Sequence, residues 1–190
     1  MAQEIASIIG KQSPEFVADA IINGEVVHMN SLDFYGQYVL FFFYEADFSL
    51  VCPTEMYALQ DALPEFKKRN VEVVAVSVDP IQTHLAWLKT PRKQGGIEGI
   101  TFTMISDVHK VLSKAYYILD EKRGCCLRGT FLVDTNGIVQ YGSVNSYQIG
   151  RNVPDIIRII DAIAYTQTHK ELCPMDWHPG DNAIDVLSFR

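Results

Sequence analysis

The residue pattern predicts an α/β fold, a mixed central sheet flanked by helices, with an N-terminal hairpin and an extended C-terminal tail. Two turns carry Asn-Gly, Asn23-Gly24 and Asn136-Gly137, and each lies between strand-like runs. Two apolar strand patterns, residues 37–44 and 71–78, bracket a stretch of helical periodicity. A last amphipathic stretch, residues 153–168, precedes a tail in which periodicity stops.

Each element follows from its residues. Residues 16–22 and 25–29 form the first hairpin around Asn23-Gly24, the pair that best accepts a two-residue turn. Residues 37–44 hold a run of large apolar side chains, which suits burial on both faces. A helix over 52–69 is expected because Met56, Leu59, Leu63 and Phe66 recur at helical spacing. Residues 71–78 are a β-branched buried strand, 81–92 a helix and 108–116 a shorter one. Residues 127–134 and 138–144 flank Thr135-Asn136-Gly137 as a second hairpin. In 153–168, Val153, Ile156, Ile157, Ile160 and Ile163 share one helical face. A strand-helix-strand unit joined to an antiparallel hairpin and a closing helix is the thioredoxin-like arrangement. The expected division is a domain over 1–168 and a tail over 169–190, where Pro174, Pro179 and Gly180 appear.

Composition narrows the function. The 190 residues suit one domain, and 48% are hydrophobic with 21% charged, so a core is available without cross-links. The formal charge of −7 and the scattered lysines and arginines argue against a nucleic-acid partner. The longest apolar run, residues 39–43, is far too short to cross a bilayer, and no N-terminal run reads as a signal peptide. Four cysteines without an export signal point to the cytoplasm or an equivalent reducing compartment, where a thiol serves chemistry more often than cross-linking.

Cys52 is the first candidate. It opens a helix directly after a buried strand, with Pro53 suited to the first turn. A thiol at that junction meets unpaired backbone N–H groups and the positive helix end, both of which favour a thiolate. Open α/β sheets commonly keep their active sites at such strand ends.

The segment Phe42-Phe43-Tyr44-Glu45-Ala46-Asp47-Phe48-Ser49-Leu50-Val51-Cys52-Pro53-Thr54-Glu55 resembles the active-site segment of typical two-cysteine peroxiredoxins, the alkyl hydroperoxide reductase C-component group. Ser77-Val78-Asp79, His84-Leu85-Ala86-Trp87, Arg128-Gly129-Thr130-Phe131 and Ile149-Gly150-Arg151 are similar too. The tail from Glu171 to Gly180 resembles the segment holding the resolving cysteine of that family. The resemblance implies reduction of hydrogen peroxide, alkyl hydroperoxides or peroxynitrite with no metal or organic cofactor. It implies Cys52 as the peroxidatic cysteine, Ser49 as the hydroxyl three positions before it, and Arg128 as the guanidinium that binds the peroxide oxygens. Glu55 and Arg151 match a pair that orients that arginine, and Tyr44 is a further supporting residue. The family has a proline where this chain has Glu45, and a carboxylate there would oppose thiolate formation and compete for Arg128.

Magnitudes show why a reactive thiol is not enough. A thiol of pKa ~8.5 is ~3% ionised at neutral pH, and lowering the pKa to ~6 raises that fraction ~30-fold. Nucleophilicity falls with pKa at a slope of ~0.4–0.5, so the net gain is only a few-fold. The rest must come from groups that hold the peroxide and stabilise charge on the leaving oxygen, a task that suits the fork of Arg128.

Attack on peroxide leaves a sulfenic acid, which condenses with a thiol to a disulfide. Cys173, in the tail, can move in a way that a core cysteine cannot. The resemblance implies that it reaches Cys52 of the partner subunit in a homodimer, with dimers often assembled into decamers, and that a thioredoxin-like protein or a dedicated flavoprotein returns both thiols. The residues alone leave an intrachain bond equally open. Strand alternation would place Cys126 on the face of Arg128 and Cys125 on the other, with packing as the expected role of both. Gly95-Gly96-Ile97-Glu98 and the C-terminal Leu187-Ser188-Phe189-Arg190 depart from the motifs of peroxide-sensitive members, so resistance to over-oxidation is expected.

Three rivals compete. A thioredoxin-type disulfide oxidoreductase would want a cysteine at the position of Glu55. An oligomeric chaperone or scaffold with weak peroxidase activity would keep its main function in Cys52→Ser. His169, Cys173 and His178 permit a metal reading but match no standard zinc spacing. His28, His84 and His109 are read as surface or core residues.

Overall fold

The computed structural model describes residues 7–189. Strands β1 (Val17–Ile22) and β2 (Glu25–Asn30) form the expected hairpin, with Asn23 and Gly24 both at positive φ, 52° and 82°. That conformation fits the strand twist and is why Asn-Gly stands there. Then come β3 (Tyr38–Phe43), α1 (Cys52–Asp61), α2 (Leu63–Lys68), β4 (Val71–Ser77), α3 (Ile81–Lys89) and β5 (Thr103–Ser106). They are followed by α4 (Val111–Ala115), β6 (Leu119–Asp120), β7 (Cys125–Cys126), β8 (Arg128–Val133) and β9 (Val139–Asn145), and then by α5 (Val153–His169).

Seven strands form one sheet in the order β2-β1-β5-β4-β3-β8-β9. The β3–β4 and β4–β5 pairs are parallel and the rest antiparallel. On one face Phe41 and Phe43 join Val74, Val76, Ile105, Phe131 and Val133 in a core that also takes in Tyr116 and Cys126. The Tyr116 ring lies 4.6 Å from Phe131 and 5.2 Å from Phe43, centroid to centroid. Each such side chain contributes roughly 1.5–3 kcal/mol on burial, which adds to the antiparallel ladder that holds β3 beside β8. The alternate residues of β3, including Phe42, face the other way, and there the polar site is built.

The structure departs from the sequence-based expectations at several elements, each for a local reason. The helix expected over 52–69 is broken at Ala62, because Pro64 has no N–H for the carbonyl of Gln60. The helix expected over 81–92 stops at Lys89, since Pro91 drives Thr90 into extended backbone (φ −81°, ψ 129°). The one expected over 108–116 begins only at Val111, where the Asp107 carboxylate accepts from the N–H groups of Leu112 (3.1 Å) and Ser113 (2.7 Å). The central strand β5 was not anticipated, nor was the small β6–β7 pair.

Contacts divide the chain into two compact units, Met1–Arg151 and Asn152–Arg190. The sequence put the boundary after residue 168, whereas α5 groups with the tail. Within this second unit the Asn152 side chain accepts from Asp155 N–H and Pro154 sits in the first turn. Tyr165 packs on Trp177 (4.8 Å), and Leu172 bridges Ile184, so the tail folds back on its own helix.

Candidate active site

Tyr44 extends the parallel ladder by donating its N–H to Val76, and the chain then turns through residues 45–51 into α1. The turn is pinned from several sides. The Tyr44 hydroxyl donates to Asp47 Oδ1 (2.7 Å), Asp47 Oδ2 meets His84 Nδ1 (2.7 Å), and Asp47 N–H donates to Asp79 (3.0 Å). Tyr44 and His84 have no exposed surface. Burial raises the Asp47 carboxyl above its ordinary range, and the His84 contact pulls it back. This pinning holds Phe48 at φ 55°, a conformation that costs a non-glycine residue about 1–3 kcal/mol.

Cys52 is the first residue of α1 and fully buried. Arg128, the first residue of β8, is 1% exposed and spends every nitrogen locally. Its Nη1 reaches Cys52 Sγ at 3.2 Å and Glu55 Oε2 at 2.7 Å, and its Nε donates to the Tyr147 carbonyl at 2.9 Å. Its Nη2 lies 3.5 Å from Glu45 Oε2. Burial opposes the Arg128 charge, but Cys52 and Glu55 outweigh it and hold the guanidinium ionised.

Glu55, one turn into α1, carries the second guanidinium. Arg151 donates to it through Nε (2.9 Å), Nη2 (3.0 Å) and its own backbone N–H (3.0 Å). Arg151 Nη1 donates to the carbonyls of Phe43 and Gly129, both at 2.8 Å, and the guanidinium stacks on Phe42. It thereby ties the ends of β3 and β8 to α1. Burial lowers the Arg151 pKa and Glu55 opposes that. Two guanidiniums over one shared carboxylate leave one positive charge facing the Cys52 sulfur.

Of the residues singled out in the sequence, Cys52, Arg128, Glu55 and Arg151 are brought together. The Ser49 hydroxyl is buried and has no hydrogen-bond partner among the described residues. Tyr44 supports the turn rather than touching Cys52. Cys126 does not share a face with Arg128. It lies in the Phe131 core, because β7 pairs with β6 and the chain kinks at Leu127, whose carbonyl accepts from Gly129. Burial raises its thiol pKa far above the ordinary value, with Asp107 adding to the effect. Cys125 contacts the Tyr147 hydroxyl at 3.7 Å. Cys173, in the second unit, is partly buried, 3.7 Å from the Ala162 carbonyl. Its thiol is pushed up by burial and Glu171, with Arg158 opposing.

Sequence reasoning missed Arg123, whose Nη2 meets Glu45 Oε1 at 2.5 Å and whose guanidinium lies 3.8 Å over the Tyr147 ring. It also missed the partnership of Asp47 and His84. Neither carried a local signal, because their partners lie 78 and 37 residues away in the chain.

A buried thiol at a helix start, capped by a guanidinium at the end of a mixed sheet, defines a thiol-based redox protein on a thioredoxin-like fold. Residues 9–142 match the AhpC/TSA family, and the chain belongs to it. Over 176 residues it is 42% identical to bovine Peroxiredoxin-2, covering 93% of this chain and 88% of that one. The mouse mitochondrial thioredoxin-dependent peroxide reductase is 44% identical over 93% of this chain and 68% of its own. The crystal structure of the reduced Plasmodium vivax 2-Cys peroxiredoxin superposes with a TM-score of 0.91 at 43% identity, over 94% of this chain and 93% of that one. Enterococcus faecalis AhpC superposes at 0.84 with 32% identity, over 89% and 100%.

Proposed function

We propose that this chain is a thiol-dependent peroxidase that reduces hydrogen peroxide and alkyl hydroperoxides at Cys52. The observation that carries the reading is the 3.2 Å contact between Arg128 Nη1 and Cys52 Sγ, inside a cluster that holds the guanidinium charged. The Cys52 thiolate attacks the terminal peroxide oxygen, and the O–O bond breaks. Sulfur is oxidised to sulfenic acid, while the leaving oxygen takes a proton to give water or an alcohol. Arg128 faces the charge that develops on the two oxygens and is oriented for it before the peroxide arrives. Glu55 and Arg151 position it, and Tyr44, through Asp47, holds the turn. The Ser49 hydroxyl, buried without a partner among the described residues at a cost of about 1–3 kcal/mol, is suited to bond a peroxide oxygen.

In the second step Cys173 gives up its proton, its thiolate attacks the Cys52 sulfenic sulfur, the S–O bond breaks, and the departing hydroxide takes a proton to leave as water while a disulfide forms. We place this bond between the subunits of a homodimer, which can build into a decamer. Residues 169–190 serve as the segment that delivers Cys173, and a dithiol protein of thioredoxin type or a flavoprotein reductase restores both thiols. The chemistry needs a reducing compartment, in our reading the cytoplasm. Among the described residues no helix is long and apolar enough to cross a membrane.

Peroxide consumption and non-reducing gels test this on wild type, Cys52→Ser and Cys173→Ser. Wild type should consume peroxide and run as a covalent dimer, Cys52→Ser should do neither, and Cys173→Ser should lose the dimer. A covalent species that persists in both variants, or peroxide consumption untouched in Cys52→Ser, would overturn the assignment.

A further inference from the structure

We infer that Glu45, held by Arg123, is a carboxylate latch on the substrate arginine that makes the site select neutral peroxides over anionic ones. The inference rests on the peroxidase reading above and adds a specificity-determining pair to it.

The geometry singles out Glu45. Among the described groups on Arg128, Cys52 and Glu55 are sealed from solvent, whereas the Glu45 side chain is 19% exposed and lies with one oxygen on each of two arginines. Oε1 meets Arg123 Nη2 at 2.5 Å, and Oε2 lies 3.5 Å from Arg128 Nη2. The first contact is a close charge-assisted hydrogen bond and the second a looser ion pair. Nη2 is also the Arg128 nitrogen that neither Cys52, Glu55 nor the Tyr147 carbonyl occupies. A peroxide oxygen that uses this donor must therefore displace Glu45.

Charge accounting gives Arg123 its part. Arg128 and Arg151 share Glu55, which leaves one positive charge for the sulfur. Glu45 alone would cancel it. Arg123, 48% exposed and laid over Tyr147, takes up the Glu45 charge from the solvent side and keeps Arg128 available. Its backbone N–H donates to Asp120, and Asp120 also accepts from the Tyr147 hydroxyl, so the arm is anchored on the β6–β7 pair. A neutral peroxide meets a balanced entrance. An anionic peroxide meets a carboxylate a few ångströms from its reacting oxygens, at a distance where like charges in a partly wet site repel by enough to slow reaction about tenfold.

Two peroxides test this: hydrogen peroxide, which is neutral, and peroxymonosulfate, an anion at neutral pH. Second-order rates of Cys52 oxidation are measured on the full chain for wild type, Glu45→Gln, Arg123→Gln and the double variant. Glu45→Gln should speed hydrogen peroxide about threefold and peroxymonosulfate about tenfold or more. Arg123→Gln should slow both, the anion more, and for hydrogen peroxide this effect should vanish when Glu45 is already Gln. Raising the salt should narrow the anion penalty in wild type, whereas in Glu45→Gln, with Arg123 and Arg128 unopposed by that carboxylate, it should slow the anion. The latch is overturned if Glu45→Gln moves both peroxides by one factor, if the two single variants shift rates in the same direction, or if their effects simply add. Should Glu45→Gln fail to fold, the salt dependence of wild type against the surface variant Arg123→Gln decides in the same way. Loss of all peroxide reaction in wild type would instead overturn the peroxidase reading, so the two failures are separable.

Discussion

Cys52 lies sealed beneath Arg128 in a cluster where Glu55, Arg151 and the carbonyls of Phe43 and Gly129 answer one another, whereas Cys173 sits in the second unit with a single long contact to Ala162. Phe48, next to Asp47, is held in strained backbone by the buried Tyr44–Asp47–His84 bonds, while the tail is held to its helix by the Tyr165–Trp177 contact, the Tyr165–Glu171 hydrogen bond and the Leu172–Ile184 bridge. The contrast fits two different tasks. A group that stabilises developing charge works best when fixed before the reaction begins. A thiol that must travel to a sulfenic acid works best when little is lost on leaving its resting place.

Substitutions can break this contrast, the largest first. Glu55→Gln leaves the buried Arg151 guanidinium without a carboxylate and Arg128 with only the looser Glu45 pair, and should cost about 3–5 kcal/mol in urea denaturation together with most of the peroxidase activity. A stability equal to wild type would mean that the cluster does not hold the site. Cys173→Ser should change stability by less than about 0.5 kcal/mol, as expected of a partly exposed residue without a network. It should nonetheless abolish the covalent dimer expected on non-reducing gels. Glu171→Gln should act mainly on kinetics, since a glutamine oxygen can still accept from the Tyr165 hydroxyl. Glu171 helps push the Cys173 thiol up, so fewer molecules carry the thiolate at neutral pH. Removing that charge should speed disulfide formation about two- to threefold near neutrality. In wild type the same step should quicken as the pH rises toward the raised thiol value, and stopped-flow measurement across pH would reveal a flat profile if the assignment were wrong.

The sequence showed the hairpins best, because Asn23-Gly24 and Asn136-Gly137 encode their turns locally. It also placed Cys52, Glu55, Arg128 and Arg151, through segments whose order resembles a known family. It failed where distant partners decide. Thr103–Ser106 is four residues long and half polar, and becomes a central strand only because β1 and β4 flank it. Cys126 looked aligned with Arg128 until the β6–β7 pairing broke the alternation at Leu127. Pro64 and Pro91 were visible, yet the apolar periodicity around them read through as helix. His84 was read as a surface or core residue, and it lies in the core with Asp47 as its partner. Glu45 was expected to compete for Arg128, and it does reach it. That Arg123 shares its charge could not be seen, since the two lie 78 residues apart.

The central claim is that the guanidinium accelerates cleavage of the O–O bond and does more than ionise the thiol. Arg128→Lys keeps a positive charge but loses the fork. The decisive measurement compares the rates at which wild type and Arg128→Lys react with hydrogen peroxide and with iodoacetamide, an electrophile that offers no oxygens to bind. The peroxide rate should fall about 100- to 1,000-fold, while alkylation of Cys52 changes less than about tenfold. An equal fall in both rates would show that Arg128 acts only on the ionisation of the thiol, and would contradict the account.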